Sequence, residues 1–266
     1  MKRRGLLLVI ALVSGGILLL ISAMNAASET TSVMHCSNTL KLISLAIQNY
    51  NATHGHLPPC SIVDADGNAI HSWRAAVTPY MAALPQLYRW DEPWNGNQNQ
   101  RLLNGTPIHL EGPTSGKPAK GLPWHGPIDY AWVFRCSNQQ TKRDFHVDYY
   151  AIVGTDCIWS VGKECDMNSI SDGIANTLLV AESTTIGAFW SQPMDLEFNQ
   201  MSYKVNDPTR PSISSKHRLG PAILFADGSV FRLDPKVPEQ IVQGLLTANG
   251  GEKIDREELR RSGWLH

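Results

Sequence analysis

Between Arg4 and Glu29 the chain carries no charge, and the residues between them read GLLLVIALVSGGILLLISAMNAAS. As a helix, residues 5–28 reach about 36 Å at ~1.5 Å per residue, longer than the roughly 30 Å hydrocarbon core of a bilayer. A charged side chain at the bilayer centre costs several kcal/mol, and this stretch has none. The core helix of a soluble domain carries a polar face, which is almost wholly missing here. Lys2, Arg3 and Arg4 stand in front and the first acidic group behind, which suits an N-terminus left in the cytoplasm and a remainder that is exported. Two fates compete. The preferred one is a retained single-pass anchor, residues 1–28. The other is a signal peptide cleaved near Ala23, Ala26 or Ala27, because Ser14-Gly15-Gly16 interrupts the densest apolar part.

Behind the anchor stand about 238 residues, enough for one large domain or two small ones, and enough for a real core. Net charge is −1, so the chain has no basic footprint for nucleic acid. Charged residues make up only 18%, with 21 Gly and 16 Pro, a balance that suits a loop-rich β or α+β domain better than a helical bundle. Five Cys in an exported chain permit two disulfides and a leftover thiol. Cys157 and Cys165 flank a short Gly-containing loop and form the first candidate pair. Cys36, Cys60 and Cys136 compete for the second bridge.

Residues 26–32 are small and polar and read as a short linker. In the following segment Cys36, Leu40, Ile43, Ile47 and Tyr50 recur at helical spacing, with Leu42, Leu45 and Ala46 widening the stripe. Asn51, Gly55 and Pro58-Pro59 end that helix. Farther on, Tyr130–Arg135, Tyr149–Val153 and Thr177–Glu182 read as strands, and Gly96–Lys120 as a polar surface loop. Pro221–Ala226 and Val230–Leu233 flank Asp227-Gly228-Ser229, a strong hairpin signal because Gly accepts the positive φ of a tight turn. Arg256, Glu257, Glu258, Arg260 and Arg261 make a charged terminal helix with a solvated face.

A basic N-terminus, an apolar helix and then CSNTLKLISLAIQNYNATHGHLPP resemble a bacterial pseudopilin-like family, the domain of unknown function fifteen fifty-nine. The likeness continues through SWRAAVTPYMAALPQLY (72–88), DEPWNGNQN (91–99), VFRCSN (133–138), ISDGIANTLLVAES (170–183) and FWSQPMDLEF (189–198). It closes with KHRLGPAILFADGSVFRL (216–233), where His217, Asp227 and Gly228 stand as H-x9-D-G, and with LLTANGGE (245–252). The resemblance implies a pilin-like α+β fold, with an N-terminal transmembrane and amphipathic helix packed on an antiparallel sheet with long loops. Residues 29–266 would be the extracytoplasmic domain, held at the bacterial inner membrane. It also implies a prepilin-type processing point after Gly5. Ile10, however, stands where the family carries a Glu. A carboxylate in lipid needs a partner, so its absence removes the specification for a filament neighbour and leaves an uncleaved anchor as the simpler form.

Catalytic constellations are missing. No H-E-x-x-H, C-x-x-C or G-x-S-x-G occurs, so no catalytic, cofactor-binding or metal-binding residue is expected. GPTSGKP (112–118) has the wrong spacing for a phosphate loop, and the acidic run at Asp64–Asn68 lacks the Glu that a helix–loop–helix calcium site needs. Asp172 and Glu182 read as turn and strand-end residues, and His54-x-His56 as a surface loop. An extended Pro221–Ala226 holds His217 and Asp227 about 20 Å apart, too far for a base and its orienter. Asp227 is then a turn former, and His217 steadies the approach to the hairpin. The expected function is a non-enzymatic structural or assembly protein of the envelope, linked to type II secretion or type IV pilus-like systems, whose partners are the membrane and other pilin-like subunits. The alternative is an anchored module that binds a glycan, peptide or ion.

Overall fold

The computed structural model describes residues 2–81, 88–103, 133–136, 146–163 and 165–266, with side chains from residue 13 onward. It is an α+β protein with a long N-terminal helix and a mostly antiparallel sheet. Helix α1 runs unbroken from Lys2 to His54, a rod of about 80 Å at ~1.5 Å per residue. The linker expected at residues 26–32 is not there. Ala, Ser and Thr do not break a helix, and the hydroxyls of Thr30 and Thr31 bond back to the carbonyls of Ala26 and Ala27. The helix ends where Gly55 adopts a φ of +83° and donates its N–H to the carbonyl of Asn51.

The two halves of α1 lie in different surroundings. From Val13 to Met24 the large apolar side chains are exposed, Leu19 by 72% and Met24 by 70%. From residue 36 onward Cys36, Leu40, Ile43, Ala46 and Ile47 are buried against the domain, worth about 2 kcal/mol for each large aliphatic side chain. Leu42 and Leu45, expected to widen that stripe, point outward and are about half exposed. They sit one and two residues away from the buried column and so fall on the opposite side of a 3.6-residue turn.

A small hairpin follows, β1 (Ser61–Val63) with β2 (Ala69–Ser72). Helix α2 (Trp73–Val77) starts at once, capped by the Ser72 hydroxyl. Helix α3 (Asn97–Leu103) forms the first part of the segment expected to be loop. The Glu92 carboxylate accepts the N–H groups of Gln98 and Asn99, which nucleates it. The rest of that loop, including 112–118, lies outside the described residues, as does the first half, 130–132, of the strand expected at Tyr130–Arg135. Val133 and Phe134 within it form a helical turn.

The main sheet has the order β5-β3-β4-β6-β7. Its strands are β3 (Tyr149–Val153), β4 (Leu178–Glu182), β5 (Leu196–Glu197), β6 (Ala222–Phe225) and β7 (Val230–Arg232). Only the β3–β5 pair is parallel. In register, Tyr150 faces Ala181, Ala181 faces Ile223, and Ile223 faces Phe231. Strands β3, β4 and β6 are buried along their whole length, which requires cover on both faces. Helix α1 lies against β6 and β7, and α4 (Glu239–Leu246) lies against β4. The chain closes with α5 (Arg256–Arg261), after which His266 exchanges backbone hydrogen bonds with Arg232 and extends the β7 edge.

Candidate functional site

The strand β6 connects the two parts of the H-x9-D-G motif, and each part grips α1 at a different height. At the first, the His217 ring is buried. Its Nδ1 lies 2.9 Å from Oε1 of Glu29, and its Nε2 lies 3.0 Å from Sγ of Cys136 and 3.4 Å from Sγ of Cys36. Glu29 Oε1 also accepts the Arg218 backbone N–H. Burial alone would raise the Glu29 carboxyl, but the hydrogen bonds from His217 and Arg218 outweigh it and hold its pKa below the ordinary carboxylate value. An ionised carboxylate only accepts, so the ring hydrogen it faces is on Nδ1, and Nε2 is turned to the two sulfurs.

Those sulfurs are bonded to each other. Cys36 on α1 and Cys136 form a disulfide that closes 100 residues of sequence. The backbone around it is pinned from several directions. Tyr149 donates its hydroxyl hydrogen to the Cys36 carbonyl at 3.1 Å, and the Cys136 N–H donates to Oδ2 of Asp148 at 2.8 Å. Arg232 on β7 reaches the carbonyls of Gly220 and Val33 and lies 3.8 Å from the buried carboxylate of Glu182. Burial pushes the Glu182 carboxyl up, and Ser215 Oγ and the Ala222 N–H both donate to it.

At the second grip, Asp227 Oδ1 accepts the N–H and hydroxyl of Ser229, and Oδ2 pairs with Arg256 of α5 at 2.6 Å. Gly228 has a φ of +88°, and a Cβ there would come within 2.5 Å of Gln48 Nε2 and 3.0 Å of Ser44 Oγ on α1. Only glycine lets the turn settle so close to the helix. From the Glu29 and Cys36 level to the Ser44 and Gln48 level is roughly 20 Å along α1, and β6 with the turns at its two ends bridges that span. The strand is laid along the helix and fastened at both ends. His217 pairs with Glu29 and Asp227 pairs with Arg256, so the two serve separate contacts.

The first candidate disulfide is corrected. Cys157 and Cys165 are both free thiols and both buried, as is Cys60. Cys157 closes a turn on Gly154, where its sulfur lies 3.1 Å from the point a Cβ of Gly154 would occupy, while the Cys165 carbonyl accepts the Leu57 N–H. Each thiol is taken up by its own local packing. Burial pushes the Cys157 thiol up to about 12 and the Cys165 thiol up to about 11, which leaves both protonated and unreactive.

Other sequence candidates have local jobs. Asp64 accepts N–H groups of Asp66 and Asn68 and folds its own turn. Asp172 accepts the N–H groups of Gly250 and Gly251 and ties the 249–251 loop to the turn that precedes β4. His54 stacks on Tyr50 and contacts the Tyr80 hydroxyl. Two groups escape the sequence reading. One is the ion pair of Arg74 and Asp195, at 2.7 Å and almost fully buried, in which Arg74 also donates to the carbonyls of Trp190, Gln192 and Met194. The other is Glu29 as the partner of His217, 188 residues away. Among the described residues, Cys36, Cys136 and His217 are the grouping whose ligand atoms, all within 4.8 Å of one another, have metal-binding composition.

A helix that is apolar and exposed at first and then packed along an antiparallel sheet defines the pilin-like class of α+β protein. Residues 26–204 match the family described as "Protein of unknown function (DUF1559)", SBP_bac_10, and the chain belongs to that family. The matched span ends before His217 and Asp227. No curated protein and no solved structure matches the chain.

Proposed function

We propose that this chain is a membrane-anchored, pseudopilin-like structural or assembly protein of the bacterial cell envelope, without enzymatic activity. The observation that carries the proposal is α1 itself. One continuous helix is long and apolar enough to cross a membrane, exposed from Val13 to Met24 and fastened to the domain over its second half. With Lys2, Arg3 and Arg4 held on the cytoplasmic side, the domain faces outward from the inner membrane. Above the anchor, Met34, Leu42 and Leu45 leave a line of apolar side chains open on the free side of α1. That line suits packing against other pilin-like helices of a type II secretion or type IV pilus-like system.

The test combines an intact mass with a crosslink. The full chain is expected in washed membranes with its N-terminus retained, and a photo-crosslinker at position 42 or 45 is expected to capture a second anchored helix. A product dissolved in the cytosol, or one released after cleavage near Ala27, overturns the anchored reading. Crosslinks equal in number to those from an exposed position on α5 overturn the assembly reading.

A further inference from the structure

We infer that Cys36, Cys136 and His217 form a zinc-binding site that is closed by the disulfide and opened when the disulfide is reduced. A disulfide needs no polar partner, because its sulfurs are weak acceptors. Here a buried imidazole is nonetheless aimed at both sulfurs through Nε2, and its other nitrogen is held by the Glu29 carboxylate. A carboxylate behind a histidine that faces two cysteine sulfurs is the arrangement by which proteins orient a zinc-ligating ring.

The distances fit. With Zn–S near 2.3 Å and Zn–N near 2.0 Å in a tetrahedron, nitrogen and sulfur ligands stand roughly 3.5 Å apart. The observed N···S separations of 3.0 and 3.4 Å are already close to that. Only the two sulfurs must part, and breaking their bond allows it. The supports stay in place meanwhile, since Tyr149 holds the Cys36 carbonyl and Asp148 holds the Cys136 N–H. Two cysteines and one histidine leave a fourth position for water. The side chain of Glu29 is one third exposed, so the histidine side of the site lies near solvent.

The chemistry balances with an external dithiol as reductant. Its thiolate attacks the disulfide, two electrons pass to Cys36 and Cys136, and the reductant leaves as its own disulfide. Zinc then displaces one proton from each thiol, and the protons go to solvent. This site does not depend on whether the chain assembles with other anchored helices.

The experiment uses the full chain in detergent, oxidised or reduced with a phosphine, and titrates Zn²⁺ against a chromophoric chelator. The reduced chain is expected to bind one equivalent more than the oxidised chain. The Cys36→Ser/Cys136→Ser variant is expected to lack that equivalent, which separates it from any zinc held by Cys60, Cys157 or Cys165. His217→Gln is expected to weaken binding at least tenfold, and Glu29→Gln about 10- to 100-fold. With Co²⁺ as probe, thiolate-to-metal absorption is expected in the reduced chain and not in the double variant. If reduction loosens the fold, added Zn²⁺ is expected to restore its near-UV circular dichroism. Equal zinc stoichiometry in the reduced wild type and the double variant overturns the inference, as does unchanged affinity in His217→Gln, or a loosened fold that Zn²⁺ leaves loose.

Discussion

The two halves of α1 use the same kinds of side chain for opposite purposes. Leu18, Leu19 and Leu20 stand clear of all described protein, whereas Leu40, Ile43 and Ile47 have no exposed surface to speak of. The difference lies in what stands beside them. Around the second half, a disulfide, a histidine–carboxylate pair and a glycine turn bring the sheet onto the helix. Beside Leu18, Leu19 and Leu20 the described residues place nothing. Hydropathy alone therefore does not separate an exposed apolar segment from a core segment; the long-range partners do.

Removing the covalent link should blur that contrast most. Closing a 100-residue loop is worth about 4–5 kcal/mol on chain entropy. Cys36→Ser/Cys136→Ser is expected to lose most of that in denaturant unfolding of the oxidised chain. Next comes a pair of neighbours on α1. Ile43→Ala should cost about 2–4 kcal/mol by emptying a fully buried site, while Leu42→Ala should stay within about 0.5 kcal/mol. Equal costs in a chemical melt would mean that the two faces of the helix are not distinguished as described. Gly228→Ala should cost about 1–3 kcal/mol, since it adds both a positive-φ strain and an atom against Gln48 and Ser44. Paired with Gln48→Ala, part of that loss should be recovered in a double-mutant cycle.

The smallest effect is a pH dependence at the upper grip. Burial would raise the Asp227 carboxyl, but hydrogen bonds from Ser229 and Arg256 outweigh it and set its pKa below the ordinary carboxylate value. The stability it adds is full above that ordinary value and is lost as pH falls through the lowered one. Asp227→Asn should flatten that part of a stability-versus-pH curve measured by thermal melts. A slope of the opposite sign would break the assignment.

How far the sequence foretold these contacts follows the distance over which each is made. The Asp227-Gly228 turn, strands β3 and β4, and the end of α1 at Gly55 have local signatures, because turn chemistry and periodicity act within a few residues. The pairing of Cys36 with Cys136 has none. Spacing favours Cys157 with Cys165, but burial and separate turns keep those thiols apart. Nor does any local pattern foretell that Glu29, just past the apolar run, reaches His217, or that Arg74 and Asp195 meet 121 residues apart in the core. The linker expected at residues 26–32 fails for a different reason. Small polar residues permit a break without requiring one, and helices on both sides carry the geometry through.

An unbroken α1 through residues 26–32 leaves no swivel between its exposed apolar stretch and the domain. Any tilt, twist or push given to the exposed apolar stretch is handed on to the sheet as it would be along a crankshaft, with the Glu29–His217 contact as the collar where the domain begins.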